Sequence, residues 1–374
     1  MKVLIKQFLG TNHSWSVCGW GIATAMIELG HDVHLFSTDG IKCLPPHLKN
    51  NIIGYTDESS KTLVGRSPDS KYDSQISYTC MKNFPYYLNN GPSNRFGIWC
   101  YEFSGSNALP LGFAKHYKSV DKLIPPSVHA KQVFLDSGVP ESVMQVIPHG
   151  ISNEFLIGTD IYPLKTDKKF KVLCNIAQPH RRKNIDGTFE AWGRAFTKKD
   201  DVVLVVKASS KKPEQSFEVN FNEILQRFKK KYPDHADIIV IDQFIPDISS
   251  LYRSCNAVLS LSLAESFLFP ALEGLACGKI VLVSGAGGQI DYCTDNNSIL
   301  IQGKNIYADP RMLYWQQKSG TTIFEPDLNH AADKLQFAFK NESELLNKFS
   351  SEFSRIRKEY TWGRVANSLI ELCK

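Results

Sequence analysis

Apolar and polar positions at the start of the chain predict a strand, a helix and a second strand in succession. Residues 2–9 form an apolar run rich in β-forming side chains, and "IATAMIELG" has the apolar spacing of a helix that stops at Gly30. The run "HDVHLFST" then predicts a second strand. This order is typical of a parallel, doubly wound α/β domain.

The next part of the chain carries weaker signals. Residues 40–95 are polar and rich in Pro, Asn, Ser and Gly, which predicts irregular loops and short elements, and long loops in α/β enzymes often hold substrate. Regular patterns then resume with strands at "RFGIWCYEF" and "DKLIPPS", a helix at "VHAKQVFLDSG" and a strand at "VMQVIPHG".

A second strand–helix alternation follows a linker at residues 156–168. It begins with the strand "FKVLCNIA" and the helix "NIDGTFEAWGRAF", and it continues as far as the strand "KIVLVSGAGG". We therefore expect two doubly wound, Rossmann-like domains, the first at 1–160 and the second at 168–354. A final helix at about 355–374 is expected to pack back onto the first domain.

Composition narrows the class of protein. A chain of 374 residues exceeds one typical core, and 43% hydrophobic with 22% charged residues is ordinary for a soluble enzyme. A net charge of +5 is lower than nucleic-acid binders usually carry, and it suits a polyanionic small ligand equally well. Nine scattered cysteines without a C-x-x-C, a short apolar amino terminus and no apolar run of membrane-spanning length predict a cytoplasmic protein.

Two basic or glycine-rich turns are candidates for phosphate binding. Gly19-Trp20-Gly21 falls where we predict the first strand-to-helix turn, although Thr24 replaces the third glycine of a dinucleotide fingerprint, and a simple tight turn fits equally well. "HRRKN" (180–184) follows the first strand of the second domain. Its Arg182 and Lys183 suit a diphosphate there, whereas the same charges elsewhere would form a solvated loop.

Two glutamates in "ESFLFPALEGLACGKIVLVS" are candidates for sugar binding. Glu265 closes a predicted strand, and Glu273 lies in a helix that Pro270 helps to start. Carboxylates accept bidentate hydrogen bonds and can hold adjacent hydroxyls of a ribose or hexose. Glu273 is flanked by apolar or small residues, where an unpartnered charge is costly, and this favours function over a surface helix charge.

Other catalytic patterns do not occur. The sequence contains no G-x-S-x-G, no H-E-x-x-H, no Walker loop and no D-x-D that would hold a metal on a nucleotide diphosphate. We therefore expect no metal and no cofactor.

The E-x7-E stretch resembles the donor-site signature of retaining glycosyltransferases with the GT-B fold, family 4-like, the glycosyl transferases group 1. Supporting segments occur in the family's order: "CGWGIATAMIELGHDVHLFST", "DKLIPPSVHAKQVFLDSGVPESVMQVIPHGISNEF" with His149, "HRRKNIDGTFEAWGRAF", "YTWGRVANSLIELC" and the W-x-x-E segment "IWCYEFSGSNALP". The resemblance covers nearly the full length. It implies an α/β GT-B fold, in which two Rossmann-like doubly wound domains face a central cleft, the domain at 1–160 for the acceptor and the domain at 168–354 for the nucleotide-sugar donor.

The resemblance also implies residue roles. Glu273 would hold the nucleotide ribose, Glu265 would face the transferred sugar, and Lys183 with Arg182 would neutralise the diphosphate. The whole predicted set comprises two catalytic residues, Glu265 and Glu102, and eleven donor-binding residues, Gly19, Gly21, Arg182, Lys183, Lys207, Phe244, Ile245, Ser266, Phe267, Leu268 and Glu273.

The sequence departs from the family pattern at three places. The usual E-G-F-G becomes Glu265-Ser266-Phe267-Leu268, so both glycines are lost. Ala177 or Gln178 stands where an arginine normally precedes R-K-G. The family's histidine near the donor sugar has no clear counterpart, and Glu102 is assigned to that region instead.

The function expected is transfer of a sugar from a nucleotide diphosphate sugar with retention of configuration and without a metal. The donor base, the donor sugar and the acceptor stay open, the last among a glycan, a lipid-linked sugar, a protein and a modified DNA base. Peripheral membrane contact is compatible with this function. The alternatives are a catalytically silent sugar-nucleotide-binding or scaffold protein of the same fold, and a nucleotide-sugar epimerase; a phosphorylase would need a pyridoxal lysine motif that the sequence does not show.

Overall fold

The computed structural model describes residues 1–68, 71–88, 94–209, 213–317 and 319–374. Cα packing divides the chain into two units. Unit 1 contains residues 1–101, 109–152 and 359–374, and unit 2 contains residues 102–108 and 153–358. Residues 102–108, which fall inside the predicted first domain, thus pack with unit 2.

Sixteen strands form three sheets. In chain order they are β1 (Lys2–Gln7), β2 (Asp32–Ser37), β3 (Ile52–Thr56), β4 (Leu63–Gly65), β5 (Ser74–Tyr78), β6 (Asn94–Ile98), β7 (Ser104–Gly105), β8 (Lys122–Ile124), β9 (Phe170–Ala177), β10 (Val202–Ala208), β11 (Asp237–Ile241), β12 (Ala257–Ser260), β13 (Ile280–Ser284), β14 (Ile299–Ile301), β15 (Gly303–Tyr307) and β16 (Thr321–Pro326), counted over the described residues.

Eleven α-helices accompany these strands within the described part of the chain. They are α1 (Ser14–Glu28), α2 (Phe84–Tyr87), α3 (Val128–Asp136), α4 (Asn153–Ile157), α5 (Ile185–Ala195), α6 (Phe221–Lys231), α7 (Ile248–Arg253), α8 (Phe269–Ala276), α9 (Leu328–Lys340), α10 (Glu342–Glu359) and α11 (Trp362–Glu371). None of them, over the residues described, has the length and apolar content needed to cross a membrane.

Unit 1 is built on a seven-stranded sheet in the order β4-β3-β2-β1-β5-β6-β8. All neighbouring strands pair in parallel except β3 and β4. The order reverses between β1 and β5, as in doubly wound folds. Val3, Leu4 and Ile5 of β1 are fully buried because helices or loops cover both faces of a parallel sheet.

One strand prediction for unit 1 is wrong, whereas the polar stretch at 40–95 contains short elements, as predicted. One of these, strand β5, has all five of its residues buried. Its sequence, SQISY, looks polar, but the Ser77 hydroxyl donates to the Lys6 carbonyl at 2.7 Å, which satisfies that buried group. The stretch "VMQVIPHG", predicted as a strand, forms an isolated bridge, Leu123 to Met144, with the end of unit 1's sheet.

The predicted glycine turn is also wrong. Helix α1 starts at Ser14 and is capped by His13, whose ring accepts from the Trp15 amide, so Gly19 and Gly21 lie inside the helix. A Cβ on Gly21 would lie 2.3 Å from the Trp362 ring of α11. A Cβ on Gly19 would lie 2.5 Å from the Gln7 amide nitrogen. Both glycines therefore permit close packing of α1 within unit 1.

The actual strand-to-helix turn lies at residues 9–13 and contains Gly10. The Asp39 carboxylate accepts from the amides of Leu9 and Gly10 at 2.8 Å each and from that of Thr11 at 3.0 Å. A Cβ on Gly10 would lie 2.4 Å from the Asp39 carbonyl oxygen, so the turn requires glycine there.

Unit 2 is built on a six-stranded, fully parallel sheet in the order β11-β10-β9-β12-β13-β14. The strand order reverses between β9 and β12. The carboxyl ends of these two neighbouring strands therefore form a topological switch point, where doubly wound proteins bind ligands.

A small antiparallel sheet, β15-β16-β7, adds to unit 2. Gly105 and Ser104 of β7 pair with Thr321 and Thr322 of β16. This pairing fixes residues 102–108 on unit 2. It also brings Glu102 to the same unit as Glu265.

We expect Gly21→Ala to lower the free energy of unfolding by about 1–3 kcal/mol, because the added methyl group overlaps the Trp362 ring. Urea unfolding measures this change. Gly363→Ala is the control, since the nearest atom to its added Cβ is 3.9 Å away, and we expect no loss there. If Gly21→Ala were as stable as the wild type but bound the donor more weakly, the result would contradict a packing role for Gly21.

Candidate functional site

The site is built from the two loops that follow β9 and β12. The Leu263 amide donates to the Arg182 carbonyl at 2.7 Å. The Asn184 side-chain amide donates to the Leu261 carbonyl at 3.0 Å, while its Oδ1 caps α5 by accepting from the Gly187 amide at 3.2 Å. These bonds hold the basic turn against the loop that carries Glu265.

Opposite charges meet at this point. Lys183 Nζ lies 2.6 Å from Glu265 Oε1, and Arg182 Nη1 lies 3.0 Å from Glu265 Oε2. Arg182 Nε lies 2.8 Å from Glu102 Oε1. The side chains of Glu102 and Glu265 are 9% and 7% exposed. We call these four residues the charge cluster; its formal charges sum to zero.

The cations control the protonation of Glu265. Burial on its own would raise the pKa of the Glu265 carboxyl, but Lys183 and Arg182 outweigh it and lower the pKa to about 2. Burial lowers the pKa of Lys183, and Glu265 opposes that effect. Glu265 is therefore ionised at neutral pH and is a weak base.

Tyr314 and His180 lie beside the charge cluster, and neither was predicted from the sequence. Arg182 Nε also donates to the Tyr314 hydroxyl at 2.6 Å, and that hydroxyl lies 3.3 Å from His180 Nδ1. Burial lowers the pKa of His180 to about 4, so its ring is neutral at neutral pH. His180 belongs to the quoted motif and was passed over; Tyr314 lies far along the chain, where no motif marks it.

Arg181 points away from its two neighbours. Its Nε donates to the Ser216 carbonyl at 2.8 Å. Only two of the three consecutive basic side chains therefore enter the charge cluster.

The segment Ser266–Leu268 keeps a backbone shape that favours glycine. Leu268 has φ +69° and precedes α8, so a leucine adopts the left-handed conformation where the family pattern has glycine. The Tyr292 hydroxyl lies 2.6 Å from the carbonyl oxygens of both Phe267 and Leu268. The Phe267 ring packs against Phe269 and Tyr292. Packing and hydrogen bonding thus hold a strained turn.

Glu273 lies in α8 and has a tyrosine partner. The Tyr252 hydroxyl donates to Glu273 Oε2 at 2.6 Å and accepts from Asn175 at 2.9 Å. Burial raises the pKa of Glu273 to about 7, against the lowering effect of the Tyr252 hydrogen bond, and Glu154 adds to the rise. Glu273 thus titrates near neutral pH, unlike Glu265.

The remaining predicted donor residues lie towards the β11 edge. Lys207 is near the end of β10, and burial lowers its pKa. Phe244 follows β11 and is 68% exposed, whereas Ile245 is buried. Of these two, only the Phe244 side chain offers a surface to a base.

Unit 1 has a buried cluster of its own around His149. Its Nε2 lies 3.4 Å from the Tyr78 hydroxyl and 3.5 Å from Cys100 Sγ. Burial lowers the pKa of His149 to about 3, so the ring is neutral. Among the described residues of both units, no group of three or more His, Cys, Asp or Glu is arranged to hold a metal ion.

Sequence comparison connects the site to known proteins. Residues 159–309 match the family of glycosyl transferases group 1. A protein of the Sulfolobus islandicus filamentous virus (isolate Iceland/Hveragerdi), provisionally named glycosyltransferase 45, is 24% identical over 370 residues, covering 91% of this chain and 84% of that protein.

Solved structures agree on the fold. Anabaena HepE in complex with UDP is 14% identical, with a TM-score of 0.70 over 100% of this chain and 99% of that one. Sucrose-phosphate synthase from Thermosynechococcus elongatus is 13% identical, with a TM-score of 0.68 over 100% and 98%. The predicted GT-B fold class is confirmed.

We expect Glu273→Gln to be more stable than wild type above about pH 7. Glu273 has a pKa of about 7 in the folded chain against an ordinary 4.5, so its protonation stabilises the fold fully below pH 4.5 and this contribution is lost as pH rises through 7. The loss is about 3 kcal/mol. Glutamine is always neutral, so the variant lacks this part of the pH dependence of the free energy of unfolding. Urea unfolding from about pH 5 to 8 measures the difference.

Glu190→Gln is the matched control. The pKa of Glu190 is about 2, because hydrogen bonds from Lys231 and Tyr232 outweigh its desolvation, so its own pH dependence lies below this window. A constant difference between wild type and Glu273→Gln across the window would contradict the raised pKa.

Proposed function

We propose that this chain, whose residues 159–309 match the family of glycosyl transferases group 1, transfers a sugar from a nucleotide diphosphate sugar with retention of configuration. The observation that carries the proposal is the pair Arg182 and Lys183, buried at the switch point between β9 and β12. Buried cations at that position suit a diphosphate, since parallel α/β sheets bind ligands at the carboxyl ends of their strands.

The diphosphate would enter by displacing a carboxylate. Lys183 and Arg182 now bind Glu265. Arg182 would keep Glu102 as a partner without Glu265, but Lys183 would lose its carboxylate unless another anion took its place. A diphosphate supplies that anion with oxygens suited to a guanidinium and an ammonium. Glu265, once released, has two acceptor oxygens to bind hydroxyls of the donor sugar.

The nucleoside would extend from the diphosphate towards the β11 edge. Glu273 offers carboxyl oxygens for the two ribose hydroxyls, and the hydrogen bond from Tyr252 fixes its orientation. The exposed Phe244 ring beyond β11 offers a face on which a base can stack. The solved neighbour HepE binds UDP, which makes uridine the first base to test.

The transfer step breaks the bond between the sugar anomeric carbon and the diphosphate oxygen, and it forms a bond from that carbon to an acceptor hydroxyl. Arg182 and Lys183 stabilise the negative charge that develops on the diphosphate. Glu265, with a pKa of about 2, is a poor proton acceptor. The acceptor proton therefore passes to the departing phosphate oxygen on the same face of the sugar, which accounts for retention. The donor is a substrate, and the cations take the role that a metal would otherwise have.

Action in the cytoplasm is part of this proposal. All nine cysteines lie in described residues, and each carries a free thiol. Free thiols persist in reducing compartments.

We expect Lys183→Met to lower kcat/KM by about 10²–10³-fold, because a cation facing the developing diphosphate charge is removed. Release of free nucleoside diphosphate from a panel of UDP-, GDP- and ADP-sugars measures turnover. Lys198→Met is the matched control. Lys198 is 70% exposed and pairs with Asp234, so its loss should leave turnover unchanged.

Three results would contradict the proposal. A donor that binds without turnover would favour a silent binding protein, and a donor sugar converted without release of its nucleoside diphosphate would favour an epimerase. A Glu273→Ala variant that binds and turns over donor like the wild type would overturn the assignment of the ribose site.

A further inference from the structure

An open pocket of about 830 Å³ lies in unit 2 beside the charge cluster. Its lining residues fall within 307–317 and 319–321, at the end of β15, in the connecting segment and at the start of β16. These residues lie outside the parallel sheet, in the antiparallel addition that β7 completes. Its volume falls in the range of ligand-binding pockets.

The lining combines aromatic faces with neutral hydrogen-bonding groups. Tyr307 is 79% exposed, and Trp315 and Tyr314 also line the pocket. Gln316, Gln317 and Ser319 supply amide and hydroxyl groups. The Thr321 hydroxyl donates to Gln317 Oε1 at 2.6 Å, which fixes the orientation of that amide.

The described part of the lining is uncharged. None of the described residues that line the pocket carries a formal charge. The nearby Asp309 and Arg311 pair with each other, so neither needs a charged ligand as partner.

Tyr314 connects the pocket to the charge cluster. It lines the pocket, and its hydroxyl accepts from Arg182 Nε at 2.6 Å. Phe217 and Phe103 pack edge-on against its ring, with centroids 4.8 Å and 5.9 Å away, and keep it in place. A ligand in this pocket would therefore lie against a residue bonded to the proposed diphosphate-binding arginine.

We propose that this pocket is a subsite for a neutral sugar unit of a carbohydrate acceptor. Sugars present C–H faces that stack on aromatic rings and hydroxyls that bond amides and hydroxyls, and the lining offers both. This inference rests on the proposed glycosyl transfer. Among the acceptor classes left open by the sequence, it favours a glycan, either free or attached to a larger molecule.

The test measures binding of maltotriose, cellotriose and chitotriose to the full chain by saturation-transfer NMR and tryptophan fluorescence, without donor. We expect at least one trisaccharide to bind the wild type. Trp315→Ala and Tyr307→Ala should each weaken this binding by about tenfold or more, while UDP affinity stays at the wild-type value. Tyr307 is largely exposed, so its variant should fold even if Trp315→Ala does not. Phe337→Ala, which removes an exposed ring from α9, is the control and should bind the trisaccharide like the wild type.

Three outcomes would overturn the subsite. They are binding of none of the trisaccharides, equal binding to wild type and both variants, and displacement of the trisaccharide by free uridine, which would assign the pocket to a base. Transfer of the donor sugar to water needs no acceptor, so binding and hydrolysis of the nucleotide sugar are measured separately on the wild type. If the wild type hydrolyses the donor but binds no trisaccharide, the subsite alone is rejected. If the wild type neither binds nor hydrolyses any donor, the proposed function is rejected.

Discussion

The pairing of Glu265 with Lys183 and Arg182 is the interaction on which the proposed donor site depends. Each of these charges, if buried alone, would cost several kcal/mol. Together they are satisfied, and they join the loops after β9 and β12, which are far apart in sequence but adjacent in the sheet. Glu102 adds a second carboxylate to Arg182, and the pairing of β7 with β16 holds it there.

The same pairing determines the chemistry that the site can perform. Two cations hold Glu265 ionised, so it is suited to bind hydroxyls and not to accept a proton. Glu273 lies in a different environment, where burial raises its pKa to about 7 and tyrosine is its partner. Two glutamates eight positions apart thus have opposite electrostatic characters, and this difference supports separate roles for the sugar and the ribose.

Local sequence patterns were sufficient to predict the helices and strands whose hydrophobic periodicity is strong. The strands of unit 2 and the positions of Glu265 and Glu273 follow from apolar runs and their flanking turns. Gly19 and Gly21 were misplaced because glycine in a helix, kept for contact with Trp362 and Gln7, has the same local appearance as glycine in a turn. The bounds of strand β5 could not be predicted because its sequence looks polar, and the partner of its buried Ser77 hydroxyl is the distant Lys6 carbonyl.

Tertiary contacts supplied what no local pattern contains. Tyr314 reaches Arg182 across 132 positions, and no residue near Tyr314 indicates that contact. Leu268 stands where the family pattern has glycine, and it takes the left-handed conformation itself, held by Tyr292 from 24 positions away. The pocket lining depends in the same way on a fold that brings β15, β16 and β7 together.

Calorimetric titration of UDP into the wild type and Glu265→Gln tests the central claim most directly. If Glu265 and the diphosphate compete for Lys183 and Arg182, removing the carboxylate charge should tighten UDP binding, although thermal unfolding should show a less stable protein. Circular dichroism confirms that the variant is folded at the titration temperature. Unchanged or weaker UDP binding by the folded variant would contradict the account.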